Sequence, residues 1–478
     1  MDVSVRRGAQ RSFRLAVGGA QPHAAGRRRP DDPVHAVPMH ELWSLGAVHL
    51  AALITRREIS ALEAIDAFVQ RIEETNGTVN AVVATCFDRA RREAGETDAR
   101  IARDEPMGPL DGVPFTVKDV VETEGVPTAA GLLERAHTVP TRDAVVVARL
   151  RGAGAILLGK TNTPPNGSGG VTDNELFGRT LNPYDPTRWV AGSSGGEAAA
   201  QAIGASAFGI ASDSGGSLRV PAHACGVATL KPSSGRVPNT GVLGHPGGLS
   251  DVRTQIGPMS RHVEDLLPIL GIIGGPDGRD AGVVPMPLTS RAASGDRLRV
   301  ATFSDDPSGE TTDATTATVR AAAAALEAAG ATVVEAHPGD LGERSLEISR
   351  RYWRWDELTG EGISELLGDW DALRSDVLAF MDAFDVLVCP AAPSAARPHG
   401  EGLEHLFVHT LPYSLTGQPC VVVRAGEDEG MPIGVQIVGP LWRDDVAVVA
   451  ALIVEARMGG WTSPPGFSSS TDPAASSP

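Results

Sequence analysis

The chain has 478 residues, 42% of them hydrophobic and 21% charged, enough to build a large core in one big α/β domain or two smaller ones. A formal net charge of −17 argues against a nucleic-acid binder, which wants a basic face, and no basic patch stands out after residue 40. Four scattered cysteines, Cys86, Cys225, Cys389 and Cys420, form no C-x-x-C pair and no zinc-like spacing with histidine, so the chain reads as reduced and intracellular. The longest purely apolar run, residues 446–454, falls far short of the roughly 20 residues that a membrane span needs. These features predict a soluble, cytoplasmic protein without nucleic-acid or membrane partners.

Residues 1–38 mix arginines with Gly, Ala and Pro. Residues 13–20 are too short and glycine-rich for the apolar part of an export signal, so this segment reads as a disordered extension or as sequence ahead of a start at Met39. One domain is expected over 39–460. Ser60-Ala-Leu-Glu63 is a capping box, after which Leu62, Ile65, Phe68, Val69 and Ile72 recur at helical spacing until Asn76-Gly77 marks an end. Residues 113–117 read as a strand, 144–150 as a helix, 155–158 as a buried strand, 197–204 as a helix and 207–211 as a strand. Further strands are expected at 299–303, 332–334, 385–389 and 434–438. Helices are expected at 318–329 and 444–457, the latter with acid at its start and arginine at its end, as the helix dipole favours. This alternation predicts an α/β fold: a mixed, mainly parallel sheet with helices on both faces. Residues 274–297 are a Gly/Pro-rich excursion, and a disordered Ser/Pro-rich tail is expected over 461–478.

The stretch 182–241 is the most informative. It holds Gly192-Ser193-Ser194-Gly195-Gly196 and Asp213-Ser214-Gly215-Gly216-Ser217-Leu218-Arg219, and upstream lies Gly112-Val113-Pro114-Phe115-Thr116-Val117-Lys118-Asp119. Residues 214–217 offer successive backbone N–H groups, two of them on glycine. Such a run can cradle an oxyanion while a serine at its end attacks the carbonyl; a tight glycine turn explains the same letters. Ser193 stands directly before a helix, where capping is the plain alternative. Lys118 ends an apolar strand, where burial can keep its amine neutral and basic; a surface lysine paired with Asp119 is the plain alternative. Taken jointly, two serines and one lysine make a nucleophile with a proton relay that needs no histidine.

In this order, Gly-Val-Pro-(x)3-Lys-Asp, Gly-Ser-Ser-Gly-Gly and Asp-(x)-Gly-Gly-Ser-(x)-Arg resemble the amidase signature family, the Ser-Ser-Lys amide hydrolases, in its free-standing form. The resemblance runs from about Met39 to Arg457, with a signature core at 110–240. It implies that Lys118 is the base, Ser193 a relay held by a cis peptide, and Ser217 the nucleophile. It implies an oxyanion hole from the amides of Ser214, Gly215, Gly216 and Ser217, support from Ser194, Asp213 and Arg219, and Gly167 in the acyl pocket. The reaction implied is hydrolysis of a small-molecule amide through an acyl-enzyme, without metal or other cofactor; a homodimer is compatible with it. Ala191 in place of a usual Gly, Ala211-Ser212 in place of Gly-Thr, and Pro165 in place of an acidic residue bear on pocket shape and substrate. Tyr352, Trp353, Trp355 and Trp370 read first as core packing, second as an acyl or aryl pocket.

Other readings compete. Gly154-Ala-Ile-Leu-Leu-Gly159-Lys160-Thr161 matches the letters of a phosphate loop, but 155–158 is itself the strand and Asn-Thr-Pro-Pro follows, which cannot open the required helix. Gly192-Ser-Ser194-Gly-Gly196 fits the nucleophile elbow of another hydrolase class, yet no strand precedes it; that reading needs a late histidine such as His399, His405 or His409. Within the resemblance, the glutaminase component of a tRNA-dependent amidotransferase is the alternative. The acidic glutamine-binding residue of such components has no well-spaced match in 404–414, which favours the free-standing amidase.

Overall fold

Alternating helix and strand patterns here resolve into a single sheet. In the computed structural model, residues 38–248, 251–288, 297–306, 309–403 and 405–468 are described; 1–37, 469–478 and Glu404, which carried parts of the expected extension, tail and glutamine-site stretch, lie outside the described residues. Eleven strands join the sheet: β1 (Val82–Thr85), β2 (Pro114–Lys118), β3 (Ile156–Thr161), β4 (Phe208–Asp213), β5 (Ala228–Lys231), β6 (Gln255–Ser260), β7 (Arg299–Thr302), β8 (Thr332–Glu335), β9 (Val386–Pro390), β10 (Cys420–Asp428) and β11 (Met431–Val438). Their order is β1-β3-β2-β4-β6-β5-β10-β11-β9-β7-β8. Every residue of β2, β3, β4, β9 and β11 is buried, so both faces of those strands are covered.

The α/β class and the mixed sheet match expectation, but the balance of pairings is corrected. Four pairings are parallel and six antiparallel. Parallel pairs form where a helix crosses over, as Val145–Gly152 does between β2 and β3 and Asp313–Glu327 does between β7 and β8. The centre is antiparallel. There β10 and β11 form a hairpin whose two turn residues, Glu429 and Gly430, both hold positive φ (50° and 76°), the backbone that lets a tight turn follow the twist of its strands.

The capping box forms as read: Ser60 Oγ accepts from Glu63 N at 3.1 Å, and Ser60 N donates to Glu63 Oε2 at 2.8 Å. The helix nonetheless runs through Gly77 to Val79 and closes on Asn80 in the left-handed region, φ 53°. Asn76 acts beyond the helix: its Oδ1 accepts from Ala81 N and Val82 N at 2.9 and 2.8 Å and so launches β1. Packing also continues past residue 460. Trp461 meets Trp43 edge-on at 6.3 Å, and Phe467 joins the main core, so 461–467 pack against the body of the fold. The placement that matters most is local: β2 and β4 are parallel neighbours, and Lys118 and Asp213 stand at their matching C-terminal ends.

Candidate active site

Lys118 is fully buried at the end of β2. Its Nζ donates to Ser193 Oγ at 2.6 Å and to Ser212 Oγ at 2.9 Å. Burial lowers its pKa to about 7, with Asp213 pulling the other way. Its neighbour Asp119 does not pair with it. Asp119 lies 3.8 Å from Lys160 and accepts the Ala129 amide, as expected when successive strand residues point to opposite sides. The surface Lys–Asp alternative is thereby removed.

Ser193 is also buried and follows a cis Gly192–Ser193 peptide; its carbonyl accepts from Thr163 Oγ1 at 2.9 Å. The helix Gly195–Ala202 starts immediately after, but no serine side chain caps it. Ser194 Oγ instead donates to the Ser212 carbonyl at 3.1 Å, fully buried, which suits neither a cap nor an elbow nucleophile. A Cβ on Gly196 would lie 2.4 Å from the Asn162 backbone, so only glycine allows this helix so close to the β3 end. Ala191, standing for a usual glycine, holds φ 61°.

The loop after β4 is clamped from below. Asp213 and Arg219 are both fully buried and share two parallel bonds, Nε to Oδ2 and Nη2 to Oδ1, each 2.9 Å. Burial alone would raise the Asp213 carboxyl pKa, but the adjoining guanidinium outweighs it and holds it below the ordinary value. Arg219 also reaches Gln436 Oε1 at 2.7 Å, Ser414 Oγ at 2.6 Å and the Thr410 carbonyl at 2.9 Å. With its ends tied, the loop presents Ser214 to Ser217 outward, and the amides of Gly215, Gly216 and Ser217 have no protein acceptor among the described residues. Gly216 is obligatory: its φ is 142°, and a Cβ there would sit 2.2 Å from Thr410 Oγ1.

Ser217 is half-buried on the wall of a cavity of about 770 Å³, together with Ser214, Gly215 and Gly167. Among the described residues no hydrogen bond links Ser217 to Ser193. The structure therefore joins Lys118, Ser193 and Ser212 in one bonded set and stations Ser217 on the cavity wall. The aromatic segment divides: Tyr352 and Trp353 line the cavity, Trp355 is exposed, and Trp370 is buried with Nε1 donating to the Leu415 carbonyl at 2.6 Å. Sequence reasoning missed Ser212 as a lysine partner, and it missed His245, Asp251 and Arg253 on the cavity wall. The surviving hydroxyl at Ser212 was the one available signal; the other three lie in a stretch without pattern.

The phosphate-loop reading fails on placement. Lys160 is buried within β3, with its Nζ donating to the Val121 carbonyl, Thr123 Oγ1 and Thr128 Oγ1, which leaves no donor for a phosphate. Among the described residues no helix is long and apolar enough to cross a membrane, and no group of three or more His, Cys, Asp or Glu could hold a metal ion.

The profile of the Amidase family matches residues 63–356 and 364–448. An acylamidase of Rhodococcus erythropolis is 35% identical over 458 residues, covering 86% of this chain and 95% of that protein. A glutamyl-tRNA(Gln) amidotransferase component of Thermosynechococcus vestitus is 33% identical over 448 residues, covering 81% of this chain and 92% of that protein. The solved structure of 6-aminohexanoate cyclic dimer hydrolase complexed with substrate aligns with a TM-score of 0.76 at 28% identity, covering 89% of this chain and 99% of that one. Fold and relatives define a hydrolase of amide bonds, acting on small molecules. The chain belongs to the amidase family.

Proposed function

We propose that this amidase is free-standing and works through a Ser-Ser-Lys triad and an acyl-enzyme, with Lys118 as base, Ser193 as relay and Ser217 as nucleophile. The observation that carries the reading is the 2.6 Å contact between buried Lys118 Nζ and Ser193 Oγ. With its pKa near 7, the lysine is neutral in a large share of molecules at neutral pH and can accept a proton. Ser212 gives the amine a second partner that does not charge it.

In the first half-reaction Lys118 takes the Ser193 proton while Ser193 takes that of Ser217. The Ser217 oxygen attacks the amide carbon, and the amides of residues 214–217 hold the resulting oxyanion. The carbon–nitrogen bond breaks as Ser193 returns a proton to the departing nitrogen, releasing ammonia or an amine. Water, deprotonated by the same relay, then attacks the Ser217 ester and frees the carboxylate. The step needs Ser217 Oγ to come within reach of Ser193, and catalytic hydrogen bonds commonly tighten only when substrate is seated. Asp213, Arg219 and Ser194 support the two loops, and Gly167 leaves room for the acyl group. The four unpaired thiols fit a reducing, cytoplasmic compartment.

Ser217→Ala should lower kcat by at least about 1,000-fold, measured as ammonia release from simple carboxamides, and hydroxylamine added to wild type should divert product to a hydroxamate. Near-full activity in the variant would overturn the assignment. The similarity to an amidotransferase component favours one rival, a glutaminase working inside a complex. If the purified chain released ammonia from glutamine and from no other carboxamide, that rival would replace the free-standing reading.

A further inference from the structure

The cavity that holds Ser217 carries a charge that the proposed relay leaves unused. Arg253 lines it and is only 5% exposed, yet its Nε and Nη1 have no hydrogen-bond partner. A guanidinium stays protonated at any ordinary pH, and buried donors without acceptors are rare in native proteins because desolvation goes uncompensated. Its carbon lies 3.9 Å from the centroid of the Tyr352 ring and 5.6 Å from that of Trp353. At 3.9 Å the guanidinium meets the Tyr352 ring by its face, and the Tyr352 side chain also engages it through a hydrogen bond, which leaves Nε and Nη1 as the donors without a partner.

The neighbouring carboxylate attracts this group but makes no hydrogen bond to it. Asp251 lines the same cavity, but its Oδ2 faces His245 Nδ1 at 3.2 Å and its Oδ1 accepts from Thr254 Oγ1 at 2.8 Å and Thr254 N at 3.3 Å. Arg253 is also close to the chemistry. The next residue, Thr254, bonds Ser214 Oγ at 2.6 Å, and Ser214 opens the loop that ends in Ser217. Arg253 and the loop residues Ser214, Gly215 and Ser217 line the same cavity.

We infer that Arg253 binds a carboxylate on the substrate, so that the amide cleaved here belongs to a molecule bearing a second, anionic group; this rests on Ser217 as the nucleophile. The planar fork of arginine matches a carboxylate through two parallel bonds. A single arginine beside Asp251 suits a monoanion and disfavours a dianionic phosphate. The chain's net charge of −17 does not decide the matter, since charges beyond about 8 Å are largely screened at physiological salt and the nearest fixed charges govern.

Two probe series test this and separate its sources: monoamides of straight-chain dicarboxylic acids put the carboxylate on the acyl side, and N-acyl amino acids put it on the leaving side. Each is compared with an uncharged amide of equal length on wild type, Arg253→Met and Arg253→Lys. In one series wild type should prefer the charged probe by about 10- to 100-fold in kcat/KM. Arg253→Met should erase that preference, chiefly through KM, while leaving the neutral amide within about threefold, and Arg253→Lys should keep part of it. Calorimetric binding of the same probes to Ser217→Ala reads the subsite without turnover and without relying on the arginine variants folding. Equal use and equal binding of charged and neutral probes by both series would overturn the proposal, as would an equal loss on both probes in Arg253→Met. Turnover retained by Ser217→Ala would instead sink the nucleophile assignment, while the Arg253-dependent preference would still be legible.

Discussion

A lysine that must act as a base has to give up its proton, and Lys118 is placed where the charged form is penalised. Burial is the dominant influence on its pKa, and the one opposing charge, Asp213, is already neutralised by two bonds to Arg219. The sign of the pH dependence follows. Below about 7 the amine is protonated, which would block the proposed relay; above it the neutral form accumulates, so under that proposal kcat/KM for a non-ionising amide should climb through a midpoint near 7 and then level off. A pH–rate profile on an uncharged amide checks this, and a flat profile between pH 5 and 9 (roughly two units either side of that midpoint) would remove Lys118 from the base role. Legibility at this scale was uneven. Lys118, Ser193, Ser217, Asp213 and Arg219 stand in three short runs whose joint order is readable. Ser212 and Arg253 make their key contacts with residues distant in the chain, and such contacts leave no trace in a local pattern.

The loop between β4 and the following helix, Arg219–Cys225, is the element on which the reading turns. It stays open because Arg219 is gripped by Gln436, Ser414 and the Thr410 carbonyl from the far half of the chain, and because Gly216 slips beneath Thr410. Gly216→Ala puts a methyl group 2.2 Å from Thr410 Oγ1 at a φ of 142° that alanine avoids. The loop must shift, the amide fan turns away, and kcat should fall by about 100-fold or more. The fold should survive, with a far-UV circular dichroism spectrum close to wild type; retained activity would mean that the 214–217 amides do not act on the substrate. Elements with strong periodicity, such as the capped helix after Ser60 and the buried strands β2 to β4, were recognisable from sequence. The strands β1, β5, β6 and β10 were not. β5 is four residues long, β6 contains Gly and Pro, and the first half of β10 is a buried apolar run that can equally be helix. Missing them shifted the expected balance toward parallel pairing, because the crossover helices advertise parallel strands whereas short antiparallel strands advertise little.

At the scale of the whole molecule, the amidase joins two stretches of chain around one sheet. Lys118, Ser193 and Ser217 come from the first half, while the residues that grip Arg219 come from beyond residue 400. The return of the chain is pinned elsewhere by Asp444, at the start of the last helix, Asp444–Met458. Its Oδ1 accepts from Ser233 N, and its Oδ2 accepts from Ser233 Oγ, both at 2.9 Å, and from Arg236 Nε at 2.8 Å, all of it buried. Removing one partner of a buried ion pair strands the other, which costs about 3–5 kcal/mol. Asp444→Ala should therefore lose stability on that order, read as a lower urea midpoint with unchanged slope. None of the groups bonded to Lys118 touches Asp444, so wherever the variant remains folded its pH–rate midpoint should match wild type. A shifted midpoint would mean that the last helix, through the turn at 232–236 beyond β5, tunes the buried lysine.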